Sequence, residues 1–247
     1  MIYSLQYLKG RLLVFSKIKN WFHNYWYYYK WPVIIISAFA IIIGICIFQS
    51  ASKEDYDVSI IYTGPHMFSV KEKESLSNTF EQLMDVDYNG DGKKVADIID
   101  LPAFTDEQIE DALYGVTDDN AIIKYAPYTV DVVRNNFSQL AASSDASICL
   151  LDQYWYELLK DANRLCKLED ILGYRPEGLI DDYSIYLSDL DAYKYFDSSL
   201  GMLPDDTIVC FKLMSSASAF IGKKDAEKMY DYSKKMLISL FDFEMPS

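Results

Sequence analysis

The longest apolar run in the chain is Trp31 to Phe48, WPVIIISAFAIIIGICIF, 18 residues without a charge. At about 1.5 Å per residue it reaches about 27 Å, close to the hydrocarbon thickness of a bilayer. This predicts one transmembrane helix over 31–49, with Pro32 in its first turn, where a missing N–H removes no helix bond. A short polar linker, 50–55, follows. From residue 56 to 247 the pattern alternates between strand-like and helix-like periods. Asp57-Val-Ser-Ile-Ile-Tyr reads as a strand ended by Thr63-Gly-Pro, and Phe68 to Met84 as a helix with Leu76, Phe80, Leu83 and Met84 on one face. Ser69 and Glu72 have capping-box spacing. Lys94 to Leu101 is a second strand. Thr105 and Gln108 cap a helix carrying Ile109, Leu113 and Val116, and Tyr128 to Ala142 is the next helix. Ala146 to Leu151 is a nearly continuous apolar run, as in a strand covered on both faces. Asp152 caps a helix with Trp155, Leu158 and Leu159. Cys166 to Leu172 is turn-like or helical, Thr207 to Leu213 is the last strand, and Asp225 to Phe243 the last helix. Residues 173–204 show little period, and the acidic, tyrosine-rich stretch 178–202 reads as a surface loop and a place for a protein partner. The element order is that of an α/β fold, a mostly parallel sheet with helices on both faces.

Charge sharpens the topology. Residues 1–50 hold five bases (Lys9, Arg11, Lys17, Lys19, Lys30) and no acid, while the remainder holds 18 bases and 37 acids, a balance of 18 − 37 = −19. Positive charge on the N-terminal side of an apolar span places that side in the cytoplasm. The aromatic approach WFHNYWYYYKW, 21–31, suits a membrane interface, and residues 1–20 form a basic amphipathic stretch suited to the inner leaflet. The segment 1–30 is therefore read as cytoplasmic and 56–247 as extracytoplasmic. A cleaved signal peptide has only Ser50-Ala51-Ser52 as a cleavage pattern, and a lipoprotein cysteine is excluded by Ile45 before Cys46. An uncleaved signal anchor is the reading that remains. The acidic outer domain excludes nucleic acid as a partner. Cys149, Cys166 and Cys210 lack metal-ligand spacing and read as buried free thiols.

Two places carry candidate chemistry. From Asp87 the loop Asp85-Val-Asp87-Tyr-Asn89-Gly-Asp91-Gly92 reads D-x-N-x-D-G, the first half of a calcium loop, with Asp85, Asp87, Asn89 and Asp91 as candidate ligands. The twelfth position is Ile98, not a bidentate acid, so a polar turn held by Asx hydrogen bonds and glycines at positive φ stands beside the calcium reading. Thr63 and His66 in the first βα loop, and Asp152 and Gln153 after the third strand, lie where open α/β sheets bind ligands. Ordinary turn and cap roles are the alternative there. No nucleophile, phosphate-loop or metalloprotease motif occurs, so no enzymatic activity is expected.

The stretch ASSDASICLLDQYWYELLKDANRLCKLEDIL, 142–172, resembles the solute-binding proteins of bacterial ABC importers. The resemblance rests on the small-residue turn Ser143–Asp145, the strand Ile148–Leu151, the aromatic pair Tyr154–Trp155 and the segment Leu168–Asp170. The aromatic approach before the span, with the loop Asn89-Gly90-Asp91-Gly92-Lys93, resembles a group of uncharacterised membrane-anchored proteins of Gram-positive bacteria. These resemblances imply a periplasmic-binding-protein-like domain. A two-lobed binding protein needs on the order of 300–400 residues, so 56–247 has room for one lobe. The expected function is a membrane-tethered, non-enzymatic binding or interaction domain of the cell envelope. The alternatives are a solute-binding protein serving a transporter and an envelope enzyme.

Overall fold

The computed structural model describes residues 25–46, 56–116, 121–215 and 223–246. The basic stretch 1–20, the linker 50–55 and the Ser50-Ala51-Ser52 pattern lie outside the described residues. The chain forms two compact units, Met1–Glu54 and Asp55–Ser247.

In the first unit a single helix, α1 (Tyr25–Cys46), is long and apolar enough to cross a membrane. Its described part starts six residues before the apolar run, because residues 25–30 of the aromatic approach are themselves helical. Pro32 therefore falls inside the helix rather than in its first turn, and it leaves the carbonyl of Tyr28 without an amide donor.

The second unit contains β1 (Val58–Thr63), α2 (Val70–Leu83), β2 (Ala96–Asp100), α3 (Asp106–Leu113), α4 (Val130–Ser143), β3 (Ile148–Leu151), α5 (Gln153–Asp161), α6 (Leu168–Leu172), β4 (Leu179–Asp181), β5 (Ser184–Tyr186), α7 (Asp191–Tyr195), α8 (Asp197–Leu200), β6 (Ile208–Phe211) and α9 (Lys223–Phe241). The six strands make one mixed sheet in the order β2-β1-β3-β6-β5-β4. β1 pairs in parallel with β2 and β3, whereas β6, β5 and β4 each pair antiparallel to the strand before them in that order. Four of the six strands, β2, β1, β3 and β5, thus run the same way.

Strand alternation splits the core into two layers. Val58, Ile60 and Tyr62 of β1, with Ile148 and Leu150 of β3, pack under Leu76 and Phe80 of α2 and Met236, Leu237 and Leu240 of α9. Ile61, Cys149, Leu151, Ile208 and Cys210 face the other way, onto Phe137 of α4 and Trp155, Tyr156 and Leu159 of α5. Cys149 and Cys210 are buried free thiols, as expected, and oppose each other in register across β3 and β6, whereas Cys166 is free but only half-buried, because it sits in the turn after α5 with its Sγ against the Tyr230 hydroxyl. The capping residues read from sequence act as caps. Ser69 N donates to Glu72 Oε2 at 2.6 Å and Glu72 N to Ser69 Oγ at 3.3 Å; Thr105 and Gln108 form the same reciprocal pair at 2.8 and 3.2 Å.

The stretch 178–202 is not a surface loop. It contains the β4–β5 hairpin, and β5 adds to the sheet beside β6 through Ser184↔Cys210, Ile185↔Val209 and Tyr186↔Ile208. Ile185, Leu187, Leu190, Ala192 and Leu200 are buried. Strands of three residues are too short to show a period of two, so their burial is set by the distant β6 and not by local pattern.

Candidate functional site

The carboxyl ends of the three parallel strands meet at one place. Thr63 closes β1, Asp100 closes β2, and Asp152 follows β3. Backbone bonds fix the loops against one another: Asp152 N donates to Thr63 O at 3.0 Å, Leu101 N to Tyr62 O at 3.0 Å and Ala103 N to Gly64 O at 2.9 Å. Tyr62 and Asp100 are register partners and so share a sheet face. The Tyr62 hydroxyl accepts from His66 N at 3.0 Å, and its ring packs edge-on to Phe68, which in turn meets the His66 ring. Gly64 is required by this closeness. A Cβ there would lie 2.9 Å from Tyr62 Oη and 3.5 Å from Asp152 Cβ.

Asp152 has a double role. Its Oδ1 accepts from Tyr154 N at 2.8 Å, capping α5, and its Oδ2 accepts from Gln108 Nε2 at 2.6 Å. Gln108, already in the cap of α3, thereby ties the starts of α3 and α5 together. Three buried polar atoms at this end have no hydrogen-bond partner: Thr63 Oγ1, His66 Nε2 and Asp100 Oδ1. His66 Nε2 is 4.0 Å from Glu72 Oε2, beyond hydrogen-bonding reach. Burial raises the Tyr62 phenol well above its ordinary value, and the carboxylates of Asp100, Asp152 and Asp206 push the same way against the His66 amide. Burial also raises Asp100, opposed by Lys73 and His66. The end of the sheet thus offers a neutral phenol, a hydroxyl and carboxylates, a set suited to hydrogen-bonding a small polar ligand.

Of the ligand residues read from sequence, Thr63, His66 and Asp152 lie at this end of the sheet, Thr63 joined through its backbone with its side chain on the face opposite Tyr62 and Asp100, and Gln153 does not take part. Gln153 is exposed and donates to Glu157 Oε1 at 2.9 Å along its own helix. Tyr62 and Asp100 were missed. In the sequence Tyr62 is only the last residue of a strand, and Asp100 gains its place only through pairing with β1.

The 85–92 loop is held by its own side chains. Asp87 accepts from Gly90 N (2.7 Å) and Gly92 N (2.6 Å), Asn89 from Asp91 N (2.8 Å), Asp91 from Lys93 N (2.8 Å) and Asp85 from Val86 N (2.8 Å). Gly90 and Gly92 take φ of +79° and +91°, as an Asx-held turn requires. The Gly92 amide, with that of Gly90, holds the Asp87 carboxyl below its ordinary value. Among the described residues, no three acids, histidines or cysteines converge on a common centre here or elsewhere.

A second polar cluster lies where α5 crosses the hairpin. Asp181 accepts from Tyr156 Oη at 2.5 Å, Lys160 Nζ at 2.8 Å, Tyr183 N at 2.8 Å and Ser184 Oγ at 3.0 Å. Burial works against the Asp181 carboxylate, but these donors outweigh it and hold its pKa at about 2. Every member is paired, so the cluster is a structural joint.

The chain matches no protein-family model, none of the curated proteins and no solved structure.

Proposed function

We propose that the protein is a membrane-tethered, non-enzymatic binding domain of the cell envelope that takes a small polar ligand at the carboxyl ends of β1, β2 and β3. The observation that carries this reading is the pair of unpartnered buried polar atoms on His66 and Asp100 at the Tyr62 face of this sheet end, with the unpartnered Thr63 Oγ1 on the opposite face of the same end. Buried polar groups are normally hydrogen-bonded, so unpaired ones in one place favour a ligand contact. The site lies where open α/β sheets bind ligands. The four bases before α1 and Lys30 near its start, with no acid in residues 1–50, favour a cytoplasmic N-terminus and an outer domain.

A second reading is a periplasmic-binding-protein-like lobe that serves an importer. The α/β layering and the resemblance of 142–172 favour it. It requires a second lobe to close the site.

The test is thermal unfolding of the full chain in detergent against amino acids, sugars and cell-wall fragments. A binding site predicts a compound that raises the melting temperature of wild type and not of Thr63→Val or Asp100→Asn. Compounds that shift all three proteins equally would overturn the assignment. Protease added to intact cells should digest the domain, and protection from it would overturn the topology.

A further inference from the structure

A second cavity lies away from that end, between α4 and α5. It has a volume of about 210 Å³ and is walled by Phe137, Ala141, Ala142, Leu158 and Leu159, with Arg164 at its edge. We propose that this cavity binds a small carboxylate, its apolar body between the helices and its charged end on Arg164.

The backbone sets both cations in place. α5 ends with Asn163 in the left-handed region, φ 51°, so that Asn163 N donates to Lys160 O at 2.9 Å and Arg164 N to Leu159 O at 3.0 Å. This is a Schellman-type stop, and it turns the chain out of the helix at Arg164. Leu165 then bridges antiparallel to Lys212, and Leu213 N donates to Arg164 O at 2.7 Å. Arg164 and Lys212 are thus locked onto adjacent segments.

Among the described residues neither side chain makes an ion pair. Among the described residues the Arg164 guanidinium makes no hydrogen bond or ion pair. Lys212 is 1% exposed, and its Nζ donates once, to Ser144 O at 3.2 Å. Two of its N–H groups are left over. Beside it the buried Ser144 Oγ has no partner. A fully buried lysine is normally paired, and this domain carries 37 acids against 18 bases. Lys212 does not line the cavity, but its buried charge and that of Arg164 act on one another, with Asp145 the one carboxylate acting on Lys212. Burial lowers the Lys212 pKa, and Arg164 lowers it further. A carboxylate in the cavity would pair with the guanidinium directly and be favoured by the second positive charge behind it. The body must be small. An apolar cavity of about 150 Å³ takes up benzene, so this one holds about eight heavy atoms, the size of hexanoate.

Lys212 also caps the last turn of α4, a role that needs no ligand, and the experiment separates the two. The full chain in nanodiscs, with labelled leucine and alanine methyls, is titrated with hexanoate. Saturable shifts at Leu158, Leu159 and Ala141 are expected in the millimolar range or below. Arg164→Gln should weaken binding at least about tenfold, as loss of one charge-assisted hydrogen bond would, and Arg164→Lys should recover part of it. Hexanamide, which has the same body and no charge, should lose a similar factor. Ser138→Trp, placed at an exposed position on the rim, should block the shifts in a folded protein. Equal binding of hexanamide, unchanged binding by Arg164→Gln, or no saturable shift in a folded wild-type spectrum would each overturn the proposal.

Discussion

Asp57 is the residue whose replacement tests the architecture most directly. It stands one position before β1 and is fully buried. Its Oδ1 accepts from Tyr88 N and Asn89 N, both at 2.9 Å, and its Oδ2 from Val95 N at 2.9 Å. One carboxylate therefore clamps both ends of the 88–95 loop to the start of the central parallel strand. In Asp57→Asn the oxygen still accepts two bonds, now as a neutral group, while the new amide points a donor at Val95 N–H. One charge-assisted bond of about 1.5–3 kcal/mol is lost and the other two weaken. The total is about 2–4 kcal/mol, against a typical domain stability of about 5–15 kcal/mol. For a domain of this size that is a fall in melting temperature of about 5–15 °C. Near-ultraviolet circular dichroism of the full chain in detergent gives the unfolding curve, and hydrogen exchange over residues 86–96 gives the local effect. The amides of Tyr88, Asn89 and Val95 should exchange faster, while those of Gly90 and Gly92, held by Asp87, should change less. A variant within about 0.5 kcal/mol of wild type, the range of ordinary surface substitutions, would refute the clamp. So would unchanged exchange at those three amides.

Three further expectations follow from the packing and the charges. Phe137→Ala removes a buried ring whose centroid lies 4.8 Å from that of Trp155 and should cost about 3–5 kcal/mol, read as a lower urea midpoint. Gly64→Ala places a methyl 2.9 Å from Tyr62 Oη and should cost about 1–3 kcal/mol; a neutral result in thermal unfolding would show that the loop gives way. Asp181 has a pKa of about 2 in the folded chain against an ordinary 3.8. A carboxylate lowered by folding stabilises above the unfolded value, and the contribution is lost as pH falls through the folded one. About 2 kcal/mol should therefore be present above pH 4 and fade between about pH 4 and pH 2. Asp181→Asn should remove that part of the acid sensitivity, and identical acid profiles for the two proteins would contradict the assignment.

Much of the second unit was legible because its signals are local. Ser69 with Glu72 and Thr105 with Gln108 mark helix starts by spacing alone, and the continuous apolar run at Ile148–Leu151 marks a strand covered on both faces. What was not legible depends on partners far along the chain. The β4–β5 hairpin is hidden among acids and tyrosines because its burial comes from β6, more than twenty residues later. The antiparallel half of the sheet was unreadable for the same reason, since strand direction is set by pairing and not by composition. At the candidate site, Thr63, His66 and Asp152 could be found by the rule that ligands meet strand ends. Asp100 could not, because its place depends on register with Tyr62. The 85–92 loop shows how one spacing serves two purposes: side chains at alternate positions can ring a cation or fold back onto backbone amides. Here they accept from the backbone amides.

The strand order has a consequence for how the domain is made. β6 lies between β3 and β5, although both precede it in sequence. Until residues 208–211 have emerged, the parallel group β2-β1-β3 and the β4–β5 hairpin each present an open inner edge with unpaired amides and carbonyls. The first 200 residues therefore cannot close the sheet, however well their helices form. Closure waits for one four-residue insertion that pairs on both sides at once, a step with large sequence separation to β1 and β3 and hence a slow one. A chain made from its N-terminus holds two sticky edges while synthesis continues, the interval in which it is most exposed to mispairing and to proteases.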